Sequence, residues 1–334
     1  MSITIYDIAK AANVSITTVS KIMNNKSTDI SDKTREVVLK TMEEMHYKPS
    51  NLARSMVTKR TGVIGLLIPD ISNPYFSEIA RGVEDSANNR NFNVIFCDTD
   101  ESPKKELEYM NILEKRQIDG VIFIPTAESP RKSIQNMAAS QKPFVVVDRV
   151  FDDRDANMFQ VFVNNMSGGY MAAQYLAKKG HRRIGCVTGS HNNKSSQDRL
   201  AGYKKALGEA DIPMEPSLIY EGNYRYSSGV DAGEYLLQKE VTAIFIENDV
   251  MASGVYAALA EHNVAIPRDI SVVGYDDINL SKMLSPQLTT IQQPKLEMGR
   301  AAAEMLIHAI KRENGSHLIG FEPKLIERKS VRPL

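Results

Sequence analysis

Six polar residues stand where apolar, strand-like runs end, and their types suit directional hydrogen bonding. Asn73 follows "TGVIGLLIP", Asp148 and Arg149 end "PFVVVDR", Asn248 ends "TAIFIEND", Asp276 ends "ISVVGYDD" and Gln293 ends "LTTIQQP". Arg199 opens the helix-like "DRLAGYKKAL", with Tyr75 and Phe76 in "NPYF" and Tyr224 in "GNYRY" as aromatic neighbours. Planar amide, carboxylate and guanidinium groups give directional bonds to hydroxyls, and aromatic faces cover sugar C–H surfaces. Charge-assisted hydrogen bonds are worth roughly 1.5–3 kcal/mol each. Three or four would support an affinity near ~1 μM, about −8 kcal/mol. The two acids and two arginines cancel, which fits a neutral polyol. A lone strand-end Asp is as often a turn or cap residue as a ligand, so the set carries the reading.

Catalytic chemistry has no comparable signal. G-x-S-x-G, H-E-x-x-H, G-x-x-x-x-G-K-[ST] and G-x-G-x-x-G are all absent, so no enzyme and no cofactor are expected. The six histidines are scattered without a metal partner at helical spacing. Cys97 and Cys186 lie far apart inside apolar runs, as buried free thiols do, and a reducing cytoplasm fits them. No apolar run approaches the ~18–20 residues of a membrane helix, and no secretory signal is visible.

The elements that must position the polar set are short β-branched runs alternating with amphipathic helices from Gly62 onward. The runs named above, with "FNVIFCD", "DGVIFIP" and "RRIGCVTG", are almost wholly apolar, as parallel strands covered on both faces are. Stretches such as "FSEIARGVEDSANNR" and "GGYMAAQYLAKKG" supply the helices between them. The expected core spans 61–334 as two doubly wound parallel-sheet lobes. Lobe 1 is about 61–163 plus 291–325, because the long helix after "LTTIQQP" returns to it. Lobe 2 is about 164–290. Ligands in open α/β sheets bind at strand C-termini, where the polar set stands.

Residues 1–48 read differently, as an all-α head. "TIYDIAKAA" places Ile5, Ile8, Ala9 and Ala12 at helical spacing, and "SITTVSKIMN" repeats it with Ile16, Val19, Ile22 and Met23. "SDKTREVVLKTMEEM" sets Val37, Val38, Met42 and Met45 on one face behind Ser31 as N-cap. "ANVS" leaves room only for a sharp turn, with Asn13 suited to a left-handed backbone. The pattern is a helix–turn–helix, whose second helix enters the major groove. That assigns Ser15, Thr18 and Ser20 to phosphates and Ile16, Thr17 and Lys21 to base edges. Residues 1–60 hold ten Lys/Arg against six acids while the whole chain is neutral, a basic head on an acidic body.

With these elements in place, the chain resembles the LacI/GalR family of bacterial transcription regulators along its whole length. The matching stretches are "TIYDIAKAANVSITTVSKIMNN", "YKPSNLARSM", "GLLIPDISNPYFSEIARGVE", "GHRRIGCVTG", "DRLAGY", "NDVMASGV", "IPRDISVVGYDDI" and "LTTIQQP". The resemblance implies a periplasmic-binding-protein-like core that senses a small molecule, and a pseudopalindromic double-stranded DNA operator. It also implies a homodimer, since no leucine heptad follows "RKSVRPL". Carried over residue by residue, it makes Ile16, Thr17 and Lys21 base readers, with Tyr6 and Ser20 near the backbone. Asn24, Asn51 and Arg54 are further DNA contacts. Residues 49–60 correspond to a hinge helix in the minor groove, with Met56 where a wedging Leu is usual and Val57 where some relatives carry a basic residue. Such a segment, about nine residues of helix, is shorter than the ~12–15 at which isolated helices become marginal. It would fold only against DNA and a partner hinge.

The polar set also resembles the pocket of ribose-binding proteins and ribose repressors at Asn73, Tyr75, Phe76, Asp148, Arg149, Arg199, Tyr224, Asn248, Asp276 and Gln293. Tyr75 and Tyr224 replace the phenylalanines usual there. Ribose or a similar pentose is the expected effector, lowering operator affinity. The alternatives are a sugar acid or sugar phosphate held by Arg149 and Arg199, or corepression by a phosphocarrier protein, of which "TIYDIA" is reminiscent.

Overall fold

The computed structural model describes residues 3–23, 29–47, 60–127, 129, 131–140, 142–149 and 158–334, and divides into two compact units, Met1–Thr61 and Gly62–Leu334. The first unit holds α1 (Ile5–Ala11), α2 (Ile16–Met23) and α3 (Asp32–Glu44). The carboxylate of Asp7 accepts from the Thr4 backbone N–H at 2.8 Å and its hydroxyl at 2.7 Å, which satisfies a donor at the start of α1. Ser15 caps α2 by accepting from the Thr18 N–H at 3.0 Å, and Ser31 caps α3 by accepting from Thr34 at 3.3 Å. Asn13 takes the left-handed turn conformation, φ 51°. Ile8, Ala9, Ala12, Val19, Ile22 and Val38 form the core of this unit. Val37 departs from the expected inner face and is exposed, because a neighbour of buried Val38 lies about 100° around the helix. Packing of this small core offsets the poor propensity of "ITTVS".

The second unit is built from two sheets. The first contains β1 (Val63–Ile68), β2 (Asn93–Asp98), β3 (Gly120–Phe123), β4 (Phe144–Val147), β5 (Phe159–Val163) and β11 (Leu318–Phe321), in the order β11-β5-β4-β3-β1-β2. The second contains β6 (Ile184–Thr188), β7 (Ile219–Glu221), β8 (Ala243–Ile246), β9 (Ser271–Asp276), β10 (Thr289–Gln292) and β12 (Lys324–Ile326), in the order β12-β10-β9-β8-β6-β7. All pairings are parallel except β10 with β12. Each strand order reverses direction beside its first strand, which opens a crevice at the strand C-termini.

Helices cover both faces. Around the first sheet lie α4 (Pro74–Asn89), α5 (Pro103–Lys115), α6 (Arg131–Ala139) and α12 (Lys295–Lys311). Around the second lie α7 (Asn165–Lys178), α8 (Lys194–Glu209), α9 (Tyr226–Leu237), α10 (Asp249–Glu261) and the short α11 (Leu280–Met283). Strand residues such as Ile64, Leu66, Val145, Ile244 and Val272 are fully buried between these layers. Burying each contributes about 1.5–3 kcal/mol. Cys97 and Cys186 are buried free thiols, and burial pushes both above the ordinary thiol range. No helix among the described residues is long and apolar enough to cross a membrane.

The chain passes between sheets three times, at 163–165, 292–295 and 321–324. β10 lies wholly in the second sheet, with Ile291 paired to Tyr275 and Gln292 to Asp276. The return to the first lobe therefore follows Gln292, where the sequence pattern suggested 291. β12 brings the chain back again, and the last residues stay on the second lobe. There Ser330 Oγ donates to the Val272 carbonyl at 2.6 Å and the Leu334 N–H to that of Lys179 at 2.9 Å.

Candidate nucleic-acid interface and effector cleft

On the first unit, Ser15, Ile16 and Thr17 form an exposed corner of α2, and Tyr6 is 68% exposed on α1. Ser20 and Lys21 are half-buried on the same helix. Two of the hydroxyls are already engaged. Ser15 Oγ lies 2.8 Å from Thr18 Oγ1 within the cap, so both also serve the start of α2. Lys21 Nζ pairs with Asp29 at 2.5 Å, and that contact lowers the Asp29 carboxyl below its ordinary range. The pair lies at the surface, where salt bridges contribute little. Asn24, Asn51, Arg54 and Met56, and with them the hinge reading, lie outside the described residues.

On the second unit, a crevice between the two sheets opens to solvent and leaves about 480 Å³ of empty space, open solvent included. Asn73, Tyr75, Phe76, Asp148, Arg149, Arg199, Tyr224, Asn248 and Asp276 all line it. Nine of the ten sequence-designated residues are thus brought to one cavity from both lobes. Several sit there on strained backbone: Asp148 (φ 70°), Tyr224 (φ 66°) and Asp276 (φ 102°) are left-handed. Residues held in such conformations cluster at ligand sites, where surrounding structure fixes them.

Gln293 does not line the cavity. It lies behind the wall, 1% exposed, with Nε2 donating to Asp276 Oδ1 at 2.7 Å and Oε1 3.2 Å from the Tyr75 hydroxyl. Tyr75 turns its hydroxyl to the same place and donates to Asp148 Oδ1 at 2.5 Å. Burial, then the charges of Asp148 and Asp276, hold that phenol well above its usual range, so it stays a donor. Its hydroxyl therefore braces Asp148. Gln293 is a positioning residue on the crossover between lobes.

Asn73 and Asn248 repeat one device. Each caps a helix through Oδ1, accepting from the Tyr75 N–H at 3.0 Å and the Met251 N–H at 2.8 Å. Asn248 also donates from Nδ2 to the Tyr224 carbonyl at 3.0 Å. Phe76 meets Tyr75 edge-on with ring centroids 5.1 Å apart. The Arg199 guanidinium lies 3.9 Å from the Tyr275 ring centroid, donates to Asn165 Oδ1 at 2.8 Å and to the Glu247 carbonyl at 2.6 Å. A close helix crossing places it: a Cβ at Gly169 of α7 would fall on the Arg199 backbone, so only glycine lets α7 and α8 approach this far. Burial lifts the Asp276 carboxyl to about 7 against the opposing pull of Arg199, Gln293 and Lys295. Burial likewise lifts Glu247, directly before Asn248, to about 7, opposed by Arg199.

Six lining residues were not singled out in the sequence: Asp70, Glu101, Asn193, Ser195, Asn223 and Arg225. Asn193 carried a readable signal, since it precedes a helix after a strand as Asn73 and Asn248 do, and it caps α8 through Ser195 at 2.9 Å. Ser195 lies in the first turn of α8, and Asp70, Glu101, Asn223 and Arg225 come from the segments between elements. Two contacts bridge the lobes, a buried one from Ser195 Oγ to the Asp148 carbonyl and an exposed one from Arg225 to Asp100, each at 3.3 Å.

This geometry has known counterparts. Residues 4–50 match the family of bacterial regulatory proteins called lacI, and 173–331 match the periplasmic binding protein-like domain. The ribose operon repressor of Haemophilus influenzae is 37% identical over 334 residues, 99% of each chain. The transcriptional repressor PurR of Vibrio atlanticus is 35% identical over 334 residues, again 99% of each. Among solved structures, the lac repressor dimer bound to operator and the anti-inducer ONPF matches with TM-score 0.85 at 26% identity, covering 99% of this chain and 100% of that one. A LacI-family regulator of Enterococcus faecium with bound ribose matches with TM-score 0.73 at 31% identity, covering 81% and 99%. Head, two-lobed core and full-length similarity together make this chain a member of the LacI family of transcriptional repressors, which are regulators and not enzymes.

Proposed function

We propose that the protein is a sugar-responsive repressor, with ribose or a similar pentose as effector. The observation that carries this is the cavity at the strand C-termini, which carboxylates, guanidiniums and amides from both lobes line together with Phe76. The similarity to a ribose operon repressor and to a ribose-bound regulator supports the same ligand. A homodimer presents two heads to the half-sites of a pseudopalindromic operator. Ile16, Thr17 and Lys21 read base edges, while Tyr6, Ser15, Thr18 and Ser20 meet the backbone. Asn24, Asn51, Arg54 and Met56 extend that contact on the sequence reading, and the regulator works in the cytoplasm with its DNA. Sugar holding the lobes together through Asp148 and Arg149 on one side and Arg199 and Asp276 on the other biases the core toward one arrangement. A ligand shifts such an equilibrium only by its differential affinity for the two states. Operator affinity falls with that shift.

The similarity to PurR supports a second reading, a purine in place of the sugar. Thermal unfolding of the full chain with pentoses, hexoses, their acids and phosphates, and purine bases separates the two. A ligand at 100 times its Kd adds about 2.7 kcal/mol, so a pentose raises the melting temperature by several degrees. A shift with purines alone would replace the sugar reading.

A further inference from the structure

The cations of the cleft are already engaged by the protein's own groups. Arg149 NH2 donates to Glu101 Oε1 at 2.8 Å and NH1 to Glu101 Oε2 at 3.1 Å, and NH1 also reaches the Pro125 carbonyl at 2.6 Å. Glu101 is itself fixed, since the Ala127 N–H donates to its Oε2 at 2.7 Å and its backbone is left-handed at φ 52°. Burial works against the Arg149 charge, yet the Glu101 carboxylate more than offsets it. At the rim Arg225 pairs with Asp100 at 3.3 Å. The lining therefore holds four carboxylates, Asp70, Glu101, Asp148 and Asp276, against three guanidiniums.

A guanidinium fork matches a carboxylate or phosphate through two parallel N–H···O bonds. On Arg149 that fork is filled from within. We propose that Glu101 is a specificity-determining residue that makes the cleft select a neutral sugar over its carboxylate or phosphate counterpart, by occupying the face of Arg149 an anion would take. Discrimination of this kind works by opposing the wrong ligand rather than by improving the right one. The inference rests on the sugar reading above and narrows it: the sugar-acid and sugar-phosphate alternatives place the anion on Arg149 and Arg199, and Glu101 already fills the NH1–NH2 edge of Arg149. Removing the Glu101 charge frees the fork without touching the groups that face hydroxyls from the other lobe.

Calorimetric titration of the full-length wild type, Glu101→Gln and Glu101→Ala tests this with ribose, arabinose and xylose, the matched aldonates, and the 5-phosphates. The wild type binds an aldopentose in preference to its aldonate and phosphate. Both variants shrink that preference by roughly tenfold or more through tighter anion binding, the scale of one charge-assisted interaction. Two variants are used because glutamine can still hold Arg149 through its carbonyl, whereas alanine cannot. An unchanged preference in both, with aldopentose still bound, overturns the role of Glu101 and leaves the sugar reading standing. Wild-type binding of an aldonate or phosphate more tightly than any aldopentose overturns it too. Wild-type binding to none of these compounds overturns the sugar reading itself, and this inference with it.

Discussion

Asp276→Asn leaves a repressor that holds its operator but no longer releases it for sugar. Asp276 ends β9 and lines the cavity, with Oδ1 held by Gln293. A carboxylate accepting from sugar hydroxyls contributes about 1.5–3 kcal/mol per bond. Loss of one such bond weakens the sugar by roughly 10- to 150-fold on the scale of 1.4 kcal/mol per decade. Asparagine keeps the shape and can still meet Gln293, and the head does not depend on it. Titration should show the lost affinity, and operator binding without sugar should stay within about twofold of wild type.

Val19→Asp has the opposite signature. Val19 is fully buried in a core of six residues that holds three short helices. An ionised carboxylate placed there carries an effective penalty of several kcal/mol, more than a unit of this size can absorb. Without a folded head, recognition falls at least about 10³-fold, to the level of random duplex. The core is a separate compact unit, so sugar affinity should be unchanged. Fluorescence anisotropy with labelled operator, beside titration with sugar, reads both quantities. Loss of both together would show that the units fold as one.

The sequence was most legible where one physical rule acts alone. Apolar runs buried on both faces marked the inner strands, and the residue ending each run fell at the cleft because parallel strands share one C-terminal edge. Asp148, Asn248 and Asp276 follow from that rule. Gln293 escaped it because β10 stops at Gln292, and the next residue belongs to a crossover that turns it behind the wall. Tyr75 was legible as an aromatic of the site, but the direction of its hydroxyl depended on Asp148 and Gln293, which lie 73 and 218 positions away. Glu101 was invisible for a related reason. Nothing in "DTDESP" distinguishes it from a solvated loop acid until β2 and β4 bring it against Arg149. In the head, the turn at Asn13 and the cap at Ser31 were readable, whereas the Lys21–Asp29 pair joins residues eight positions apart that share no element.

The proposed function requires coupling between the cleft and the DNA-binding head. Its most direct test is equilibrium binding of the full chain to an operator selected from a random pool, and to random duplex, each with and without saturating aldopentose at fixed salt. Couplings between sites in regulators run at about 1–3 kcal/mol. Sugar should therefore weaken operator binding by roughly 5- to 150-fold and leave random duplex almost unchanged. Operator affinity that stays the same while titration shows the cleft filled would contradict it.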